Sequence, residues 1–291
     1  MDKPSVGSFD LALRYMEGCY VNELVEHIAL HPHLVLEKDY FGRTLLHHAF
    51  NIRLSYVHPA IRSAFEIAYS PSILGSFSKP VINPDIDIIR MCNILISAGA
   101  DVNAAKRNGV PPLYYSIIQH GKLDICKMLL RAGADINYRI IHYGQYCINP
   151  LQLACRHNRV EICKMLCSMG AVIDPPPYYC KYHKEYKTVS SPLHTASELG
   201  RIKICKILVK SGANVNVLDS EGNTPLHFAC KMRREEICTL LCKAGANPYI
   251  KNKNGYDCYE LVTLYVRKLA MRDRLNQCLS SYNNMTKRAV S

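Results

Sequence analysis

The sequence lacks tryptophan, and it lacks any long run of apolar residues. Its aromatic residues are 19 Tyr and only 6 Phe. No stretch approaches the roughly 18–20 consecutive apolar residues that a transmembrane helix needs. The first residues, MDKPSVGSFDLALRYMEG, carry acidic side chains early and no apolar core of signal-peptide length. We therefore expect a chain that does not enter a membrane and that works in the cytoplasm, with the nucleus as the alternative.

The sequence also lacks the local signatures of catalysis. It contains no phosphate-binding loop, no nucleophile elbow and no dinucleotide fingerprint. A chain with 14 Cys and 12 His always contains some Cys–His pair, and without a local signature a thiol enzyme is the weaker interpretation. We predict a non-enzymatic protein that needs no cofactor.

A complete set of metal ligands is missing as well. The closest local pairing is Cys180 with His183, and Cys147 would join them only if the fold brought it near. No second CxxC or HxxxH pattern supplies the remaining ligands of a zinc site. We predict no metal site.

The cysteines instead follow a helical register. Four of them stand in the same local pattern, in which Ile precedes the cysteine and Leu follows three residues later: Cys126, Cys163, Cys205 and Cys238. Five more occupy other recurring positions: Cys92, Cys155, Cys167, Cys230 and Cys242. A reduced cysteine behaves as a small apolar residue, which suits helices packed on their neighbours. This pattern favours reduced thiols and a reducing compartment over a disulfide framework.

The register belongs to an internal repeat. The segment from Asn223 to Asn247 reads NTPLHFACKMRREEICTLLCKAGAN, and SPLHTASELGRIKICKILVKSGAN stands at 191–214, 33 residues earlier. Weaker copies open with Thr44-Leu45-Leu46-His47, with Pro111-Pro112-Leu113-Tyr114 and with Asn149-Pro150-Leu151-Gln152. Each copy predicts a helix, a short turn, a second helix and then a Gly, placed where a helix end needs left-handed backbone. Such a unit cannot bury its own apolar face, so the copies must stack.

The repeat organises the chain into five recognisable units with a helical cap at each end. We predict an N-terminal cap over 1–40, repeats over 41–255, a C-terminal helical cap over 256–279 and a flexible tail over 280–291. Insertions interrupt the repeats at about 52–85, which contains a candidate helix at Pro59–Ser70, and at about 175–188. The third unit carries one extra residue, because Leu113 to Gly133 spans twenty residues where the later units span nineteen.

These motifs resemble the ankyrin repeat family. The resemblance is carried by Thr224-Pro225-Leu226-His227, by the turn Asp219–Gly222, and by Gly99–Asn103. It implies an all-α fold, an ankyrin-repeat solenoid of stacked helix-turn-helix units with short β-hairpin-like loops between repeats. It also implies a structural role for the repeat residues, in which Pro starts the helix while Thr and His tie neighbouring units together: Thr44, His47, Pro192, His194, Thr224, Pro225 and His227. His is absent at Tyr114 and Gln152, which puts the local bonding there in doubt.

The resemblance further implies a protein that binds partners through its concave face and its hairpin loops. The net charge of +12 is concentrated in one half: residues 1–145 hold 14 Lys or Arg against 13 Asp or Glu, and residues 146–291 hold 22 against 11. This asymmetry predicts an acidic protein partner for a monomeric scaffold or adaptor, although a merely solvated basic surface is the alternative.

Two stretches are the predicted partner contacts. The insertion PPPYYCKYHKEYK interleaves tyrosines with lysines, and exposed loops of this composition favour binding: Tyr178, Tyr179, Lys181, Tyr182 and Tyr186. The second stretch is Lys231-Met232-Arg233, at the end of the first helix in the most regular unit. Basic residues between aromatics can also hold single-stranded nucleic acid, but nothing else in the sequence supports that interpretation.

A second function is suggested by ankyrin chains that end in a SOCS box and recruit a cullin-type ubiquitin ligase. That box needs an apolar residue and a Cys at about the spacing L-x-x-x-C. Here Leu264-Tyr265-Val266-Arg267 is followed by Lys268. A substrate-recognition subunit is therefore the alternative to a simple adaptor, without a convincing box.

The resemblance also implies a modification. Ankyrin repeats with Leu eight residues before an Asn in the closing turn resemble targets of asparagine hydroxylation. Asn103, Asn137 and Asn216 fit this spacing, behind Leu95, Leu129 and Leu208. A purely structural role of the turn Asn is the alternative.

Overall fold

The computed structural model describes residues 9–17, 20–50, 84–107, 109–120, 123–142, 146–180, 185–187, 190–265, 276 and 280. The candidate helix at Pro59–Ser70 and the predicted tail from 281 onward lie outside the described residues. The chain divides into two compact units, Met1–Asp135 and Ile136–Ser291. Each unit is a set of short antiparallel helices, and each is described by itself.

The first unit is helical throughout its described part. Its elements are α1 (Phe9–Glu17), α2 (Val21–Leu30), a 3-10 turn (Pro32–Val35), α3 (Leu45–Ala49), α4 (Pro84–Ser97), α5 (Pro112–Tyr115), a π-helical turn (Ser116–His120) and α6 (Leu123–Arg131). Helix α2 ends just before His31-Pro32, as expected from the restriction that Pro places on the preceding residue. The first unit is therefore built from helix pairs, as the repeat pattern predicted.

The extra residue of the third repeat is absorbed by the π-helical turn. In such a turn the backbone bond reaches back five residues, so one residue is added without ending the helix. The turn lies at Ser116–His120, directly after α5 and before the second helix of that repeat. Helix α6 consequently keeps the same phase as its counterparts, with Ile125, Cys126 and Leu129 all fully buried.

The second unit contains the most regular repeats. Its helices are α7 (Pro150–Arg156), α8 (Val160–Ser168), α9 (Pro192–Glu198), α10 (Ile202–Lys210), α11 (Pro225–Lys231), α12 (Glu235–Lys243) and α13 (Cys258–Tyr265). In each of α7, α9 and α11 a Pro is the first helical residue, where its missing N–H leaves no intrahelical bond unmade. First helices pack against first helices and second helices against second helices, which buries one continuous apolar stripe.

The two lengthened linkers of the second unit are β-hairpins. Strands β1 (Ile140–His142) and β2 (Tyr146–Ile148) pair antiparallel, with Ile141 opposite Cys147. Strands β3 (Tyr178–Cys180) and β4 (Glu185–Lys187) pair in the same way, with Tyr179 opposite Tyr186. The insertion at about 175–188 thus has defined secondary structure at its base, as the expected hairpin-like loops require.

A histidine bridge joins successive repeats. In the first unit the His47 Nδ1 atom accepts the Thr44 N–H at 3.2 Å, and its Nε2 atom donates to the Val110 carbonyl at 3.1 Å. His194 repeats this geometry with Ser191 and the Asn223 carbonyl, and His227 repeats it with Thr224 and the Tyr256 carbonyl. Each ring is about 1% exposed, so both nitrogens are satisfied inside the protein.

The repeat that opens with Asn149 replaces this histidine without losing the bridge. The Asn149 side chain accepts the Gln152 N–H at 2.7 Å, and the Gln152 Nε2 atom donates to the Ser190 carbonyl. An amide therefore makes the outward bond that the imidazole makes elsewhere. The bridge is thus kept at Gln152, and Tyr114, at the other departure, is buried.

The cysteines are mostly buried free thiols. Free thiols occur at Cys92, Cys126, Cys155, Cys163, Cys167, Cys205, Cys230, Cys238 and Cys258, and all of these but Cys167 are buried. Cys242 differs, because it is disulfide-bonded. The prediction of a reduced side chain is therefore wrong at Cys242. Within the described ranges, no helix is long and apolar enough to cross a bilayer.

The histidine bridge predicts that the free energy of unfolding depends on pH. Burial lowers the pKa of His47 from 6.5 to about 4, and the charges of Lys106 and His48 add to the effect, against the opposing bond to Val110. The native state therefore holds the neutral ring, while the unfolded chain takes up a proton below pH 6.5. His47 should lower the free energy of unfolding progressively from pH 6.5 to pH 4, by up to about 3 kcal/mol.

The variant His47→Gln copies the natural arrangement at Gln152 and cannot titrate in this range. We expect urea unfolding, followed by circular dichroism, to show a smaller loss of stability for His47→Gln than for wild type between pH 7 and pH 4. Identical pH profiles for the two proteins would contradict the neutral, bridging His47.

Candidate protein-binding site

The residues Lys231, Met232 and Arg233 form the exposed end of α11. Lys231 is the last helical residue, Met232 follows it with 40% of its side chain exposed, and Arg233 makes the turn toward α12. All three are exposed, so the structure brings these predicted contacts together on one accessible edge. We call this edge the 231–233 edge.

Arg233 adopts a backbone conformation that does not suit it. Its φ angle is +57°, in the left-handed region, where side chains other than Gly and Asn are disfavoured. The same turn in earlier repeats is made by Asn158 at +55° and by Gly200 at +72°. The folded chain therefore holds an arginine where its own sequence elsewhere uses residues that tolerate this conformation.

Arg234, the next residue, belongs to the scaffold and not to the exposed edge. Its Nε atom donates to the Glu198 carbonyl at 3.3 Å. If Gly200 carried a Cβ atom, that atom would lie only 2.9 Å from the same Nε atom. Gly200 thus leaves room for the Arg234 side chain to cross onto the preceding repeat. Charge changes at Arg234 would disturb this packing.

Beside the 231–233 edge lies a small cavity, which we call the terminal groove. Its volume is about 220 Å³, and its apolar part comes from Phe228 on α11, Tyr256 before α13, and Leu261 on α13. Phe228 is held edge-on against the His194 ring, with a centroid distance of 5.6 Å. Pockets that hold cofactors or drug-sized ligands usually measure about 300–1,000 Å³, so this cavity suits a single bulky side chain better.

The polar lining of the terminal groove comes from two consecutive hairpin turns. Asn252 donates from its amide to the Asn223 side-chain oxygen at 2.9 Å, and this bond fixes the two turns against each other. The lining also includes the carboxylate of Glu221 and the ammonium of Lys231. The groove is therefore lined by one acidic and one basic residue. The further basic residue Arg233 lies on the neighbouring 231–233 edge.

Behind the groove, the His227 ring stands beside a group of buried thiols. The Cys230 and Cys238 sulfurs are 3.8 Å apart. Contacts with Cys238 and Cys258 raise the pKa of Cys230 well above 9, and its burial adds to this effect. Burial works to raise the pKa of Cys258, yet its contacts with Cys230 and His227 lower it to about 6. Burial likewise works to lower the pKa of His227, and contact with Cys258 outweighs it and raises that pKa.

This thiol group has no open path to a substrate. Cys230 and Cys258 have no exposed surface, and both ring nitrogens of His227 are used by the repeat bridge. Among the residues that the structure describes, no group of three or more His, Cys, Asp or Glu is arranged to hold a metal ion. His183, which the sequence pairs with Cys180, lies outside those residues, and the absence of a metal site stays a prediction.

The insertion between β3 and β4 is anchored at its base. The Arg139 side chain donates to the Pro176 carbonyl at 3.0 Å, and the Asp174 carboxylate accepts the Asn214 N–H at 2.8 Å. Tyr178, Tyr179 and Tyr186 lie on the paired strands. Lys181 and Tyr182 lie outside the described residues, so their contact role stays a prediction.

The three asparagines predicted to be hydroxylated lie in the closing turns of their repeats and hold adjacent turns together. Asn103 donates to the Gly133 carbonyl and accepts the Asp135 N–H, and Asn216 does the same with Gly245 and Asn247. Asn137 accepts the Val172 N–H at 2.8 Å. A modifying enzyme would have to displace these bonds, so hydroxylation stays a prediction.

Sequence reasoning missed most of the terminal groove. Lys231 was predicted as a contact, but Phe228, Tyr256 and Leu261 were not, because they come from three different elements. The available signal was the aromatic Phe228 at a position where earlier repeats carry Thr195 and Leu153. The alternative SOCS-box motif cannot be followed, since α13 is described only to Tyr265 and Lys268 lies beyond it.

The match to known families agrees with this geometry. A family model described as Ankyrin repeats (3 copies) matches residues 87–176 and again residues 178–252. These two segments cover more than half of the chain, and the repeats they contain are the helix pairs joined by histidine or glutamine bridges. Ankyrin repeats generally mediate protein–protein interaction and are typically non-enzymatic. The chain belongs to the ankyrin repeat family, and its predicted all-α ankyrin fold class is confirmed.

Proposed function

We propose that this protein is a non-enzymatic scaffold or adaptor that binds a partner protein through the terminal groove and the neighbouring 231–233 edge. The observation that carries the proposal is a side-chain-sized cavity beside three exposed residues, one of which keeps an unfavourable backbone conformation. In this proposal the chain acts as a monomer in the cytoplasm or nucleus, where a reducing environment suits its buried free thiols.

The cavity supports an apolar anchor from the partner. Phe228, Tyr256 and Leu261 provide the apolar walls, and the two tied hairpin turns keep those walls in place before binding. A preformed pocket loses little conformational entropy when a side chain enters it. A buried aromatic or aliphatic anchor of this kind typically dominates the energy of a protein interface.

The charged residues around the groove support an acidic residue next to that anchor in the partner. Lys231 and Arg233 stand on one side of the groove and are exposed, whereas Lys251 on the hairpin turn lies 3.5 Å from the Glu260 carboxylate. The exposed side chains of Lys231 and Arg233 would therefore meet carboxylates of the partner, and Glu221 would meet a donor on the far side. The tyrosines of the insertion hairpin remain a second predicted contact.

The charge contribution is tested by the double variant Lys231→Glu with Arg233→Glu in the full chain. Partners captured with the wild-type protein should bind the variant at least about tenfold more weakly in calorimetric titration, with a flatter salt dependence, because attractive rim charges become repulsive. Lys203→Glu with Lys206→Glu makes the same charge change at exposed positions on α10 and serves as the matched control. A partner that loses affinity equally in both variants does not use the 231–233 edge.

The backbone at Arg233 yields a separate prediction. Arg233→Gly should raise the free energy of unfolding by about 1 kcal/mol, because Gly adopts a positive φ without the strain of a side chain. The same variant should weaken binding of the captured partner. Asn158→Gly is the control at the equivalent turn, and it should gain less stability, since Asn tolerates this conformation.

The free energy of unfolding and the partner affinity of Arg233→Gly together separate a structural role of Arg233 from a binding role. A stabilised Arg233→Gly protein that binds its partner as tightly as wild type would show that the arginine is not retained for binding.

We propose hydroxylation of Asn103, Asn137 and Asn216 as a modification of the closing turns. In cells that contain an asparagine hydroxylase, peptide mass spectrometry should show one added oxygen on these residues. Unmodified peptides from all three turns in such cells would contradict the assignment.

A further inference from the structure

A second exposed patch stands out in the first unit, on the turn that precedes α3. Tyr40 is 75% exposed and Phe41 is 56% exposed, so two adjacent aromatic rings stand largely in water. Their rings meet edge to face, with centroids 5.4 Å apart. Large apolar side chains exposed side by side call for an explanation, whereas single exposed ones do not.

Two cationic side chains, Arg107 and Arg43, lie against this aromatic pair, and Lys106, the neighbour of Arg107 in sequence, lies on a different ring. The Arg107 guanidinium lies 4.3 Å from the centroid of the Tyr40 ring, and the Lys106 ammonium lies 4.9 Å from that of Tyr115. Arg43 stacks on Phe41 at 5.0 Å. We call Tyr40, Phe41, Lys106 and Arg107 the aromatic–basic patch.

The one acidic group inside the patch is already used. The Asp39 carboxylate accepts the N–H groups of Phe41 and Arg43, the Arg43 side chain at 2.6 Å, and the His48 ring at 3.1 Å. Burial works to raise the pKa of Asp39, and these bonds outweigh it and lower the pKa. Asp39 therefore neutralises Arg43 and shapes the turn, and among the described residues it forms no ion pair with Lys106 or Arg107.

Neither Lys106 nor Arg107 forms an ion pair with any residue in the described ranges. A guanidinium stacked on a ring keeps its N–H groups pointing outward in its own plane, which is the geometry that binds a carboxylate through two bonds. The patch thus combines an apolar surface with an oriented and unsatisfied positive charge.

The backbone holds the patch in place before any partner arrives. Arg107 donates its N–H to the Phe41 carbonyl at 3.1 Å, which ties the two neighbouring turns together. Gly42 sits between them with φ +76°, and a Cβ there would come within 3.0 Å of the Arg107 backbone nitrogen. This close approach needs glycine, and it places the Arg107 side chain over Tyr40.

We propose that the aromatic–basic patch is a docking site for an acidic segment of a partner protein. A carboxylate of that segment pairs with Arg107 and Lys106, and an apolar side chain next to it packs on Phe41 and the free face of Tyr40. The proposal extends the protein-binding function to the first unit, and it uses none of the residues of the terminal groove.

The geometry favours protein over single-stranded nucleic acid. Bases bind by stacking on successive aromatic faces. Here the two rings lie at 84° to each other, so they do not offer parallel faces, and one face of Tyr40 is covered by Arg107. Nucleic acid therefore becomes an outcome that the test has to separate.

The test uses the full chain and a short fluorescein-labelled peptide in which Asp and Glu flank a central Leu-Phe pair. A companion peptide carries Asn and Gln in place of the acids, and a thymidine oligonucleotide of the same length represents nucleic acid. Fluorescence anisotropy should show the acidic peptide binding more tightly than the neutral one, and more weakly as salt is raised.

Two variants then localise that binding. Arg107→Glu reverses the charge, and Tyr40→Ala with Phe41→Ala removes the apolar surface; each should raise the Kd of the acidic peptide about tenfold or more. All three side chains are exposed, so the variants should unfold thermally like wild type. Lys164→Glu with Met169→Ala, both exposed on and after α8, is the control and should leave the Kd unchanged.

Several results would overturn the patch as an acidic-protein site. Equal Kd values for the acidic and neutral peptides would do so, as would equal losses in the patch variants and in the control. Tighter, patch-dependent binding of the oligonucleotide would reassign the patch to nucleic acid. Because Lys231 and Arg233 are untouched, none of these results bears on binding at the terminal groove.

Discussion

The bond that a buried side chain makes between one repeat and the next is the interaction on which both units depend. In the regular repeats an imidazole accepts the N–H at its own helix start and donates to a carbonyl of the following turn, as His227 does with Thr224 and Tyr256. The ring has to be neutral to do both, because a protonated ring cannot accept the first bond. At His47 burial enforces that state by lowering the pKa to about 4, whereas at His227 burial works in the same direction and contact with Cys258 raises the pKa.

That constraint explains which departures the chain tolerates. Gln152 keeps the outward bond with an amide, so this repeat stays joined to the next without an imidazole. The extra residue of the third repeat becomes a π-helical turn at Ser116–His120, which protects the packing phase of the helix that follows. Changes that preserve the bridge and the phase leave the stack intact, and they leave the exposed turns free to vary.

We propose that function is concentrated where stacking makes no demand. The end of α11 and the turn at Tyr40-Phe41 are both exposed, and both carry residues that packing does not explain: Arg233 in a left-handed conformation, and two adjacent aromatic rings in water. Asp39 lies beside Tyr40 in sequence and Arg234 lies beside Arg233, yet the Asp39 carboxylate is bonded within its own turn and the Arg234 side chain donates to the Glu198 carbonyl. Exposure and bonding separate the two classes, whereas residue type does not.

The ankyrin fold, the helix pairs and the location of the extra residue followed from the sequence alone. They depend on short-range patterns, such as Thr224-Pro225-Leu226-His227 and the Gly after each second helix, whose physical meaning is local. The terminal groove and the aromatic–basic patch needed the tertiary structure. Phe228, Tyr256 and Leu261 meet only because consecutive repeats stack, and Arg107 reaches Tyr40 only because Gly42 lets two turns approach. Periodicity determines which residues are buried, but the packing of neighbouring turns decides which exposed residues share a surface.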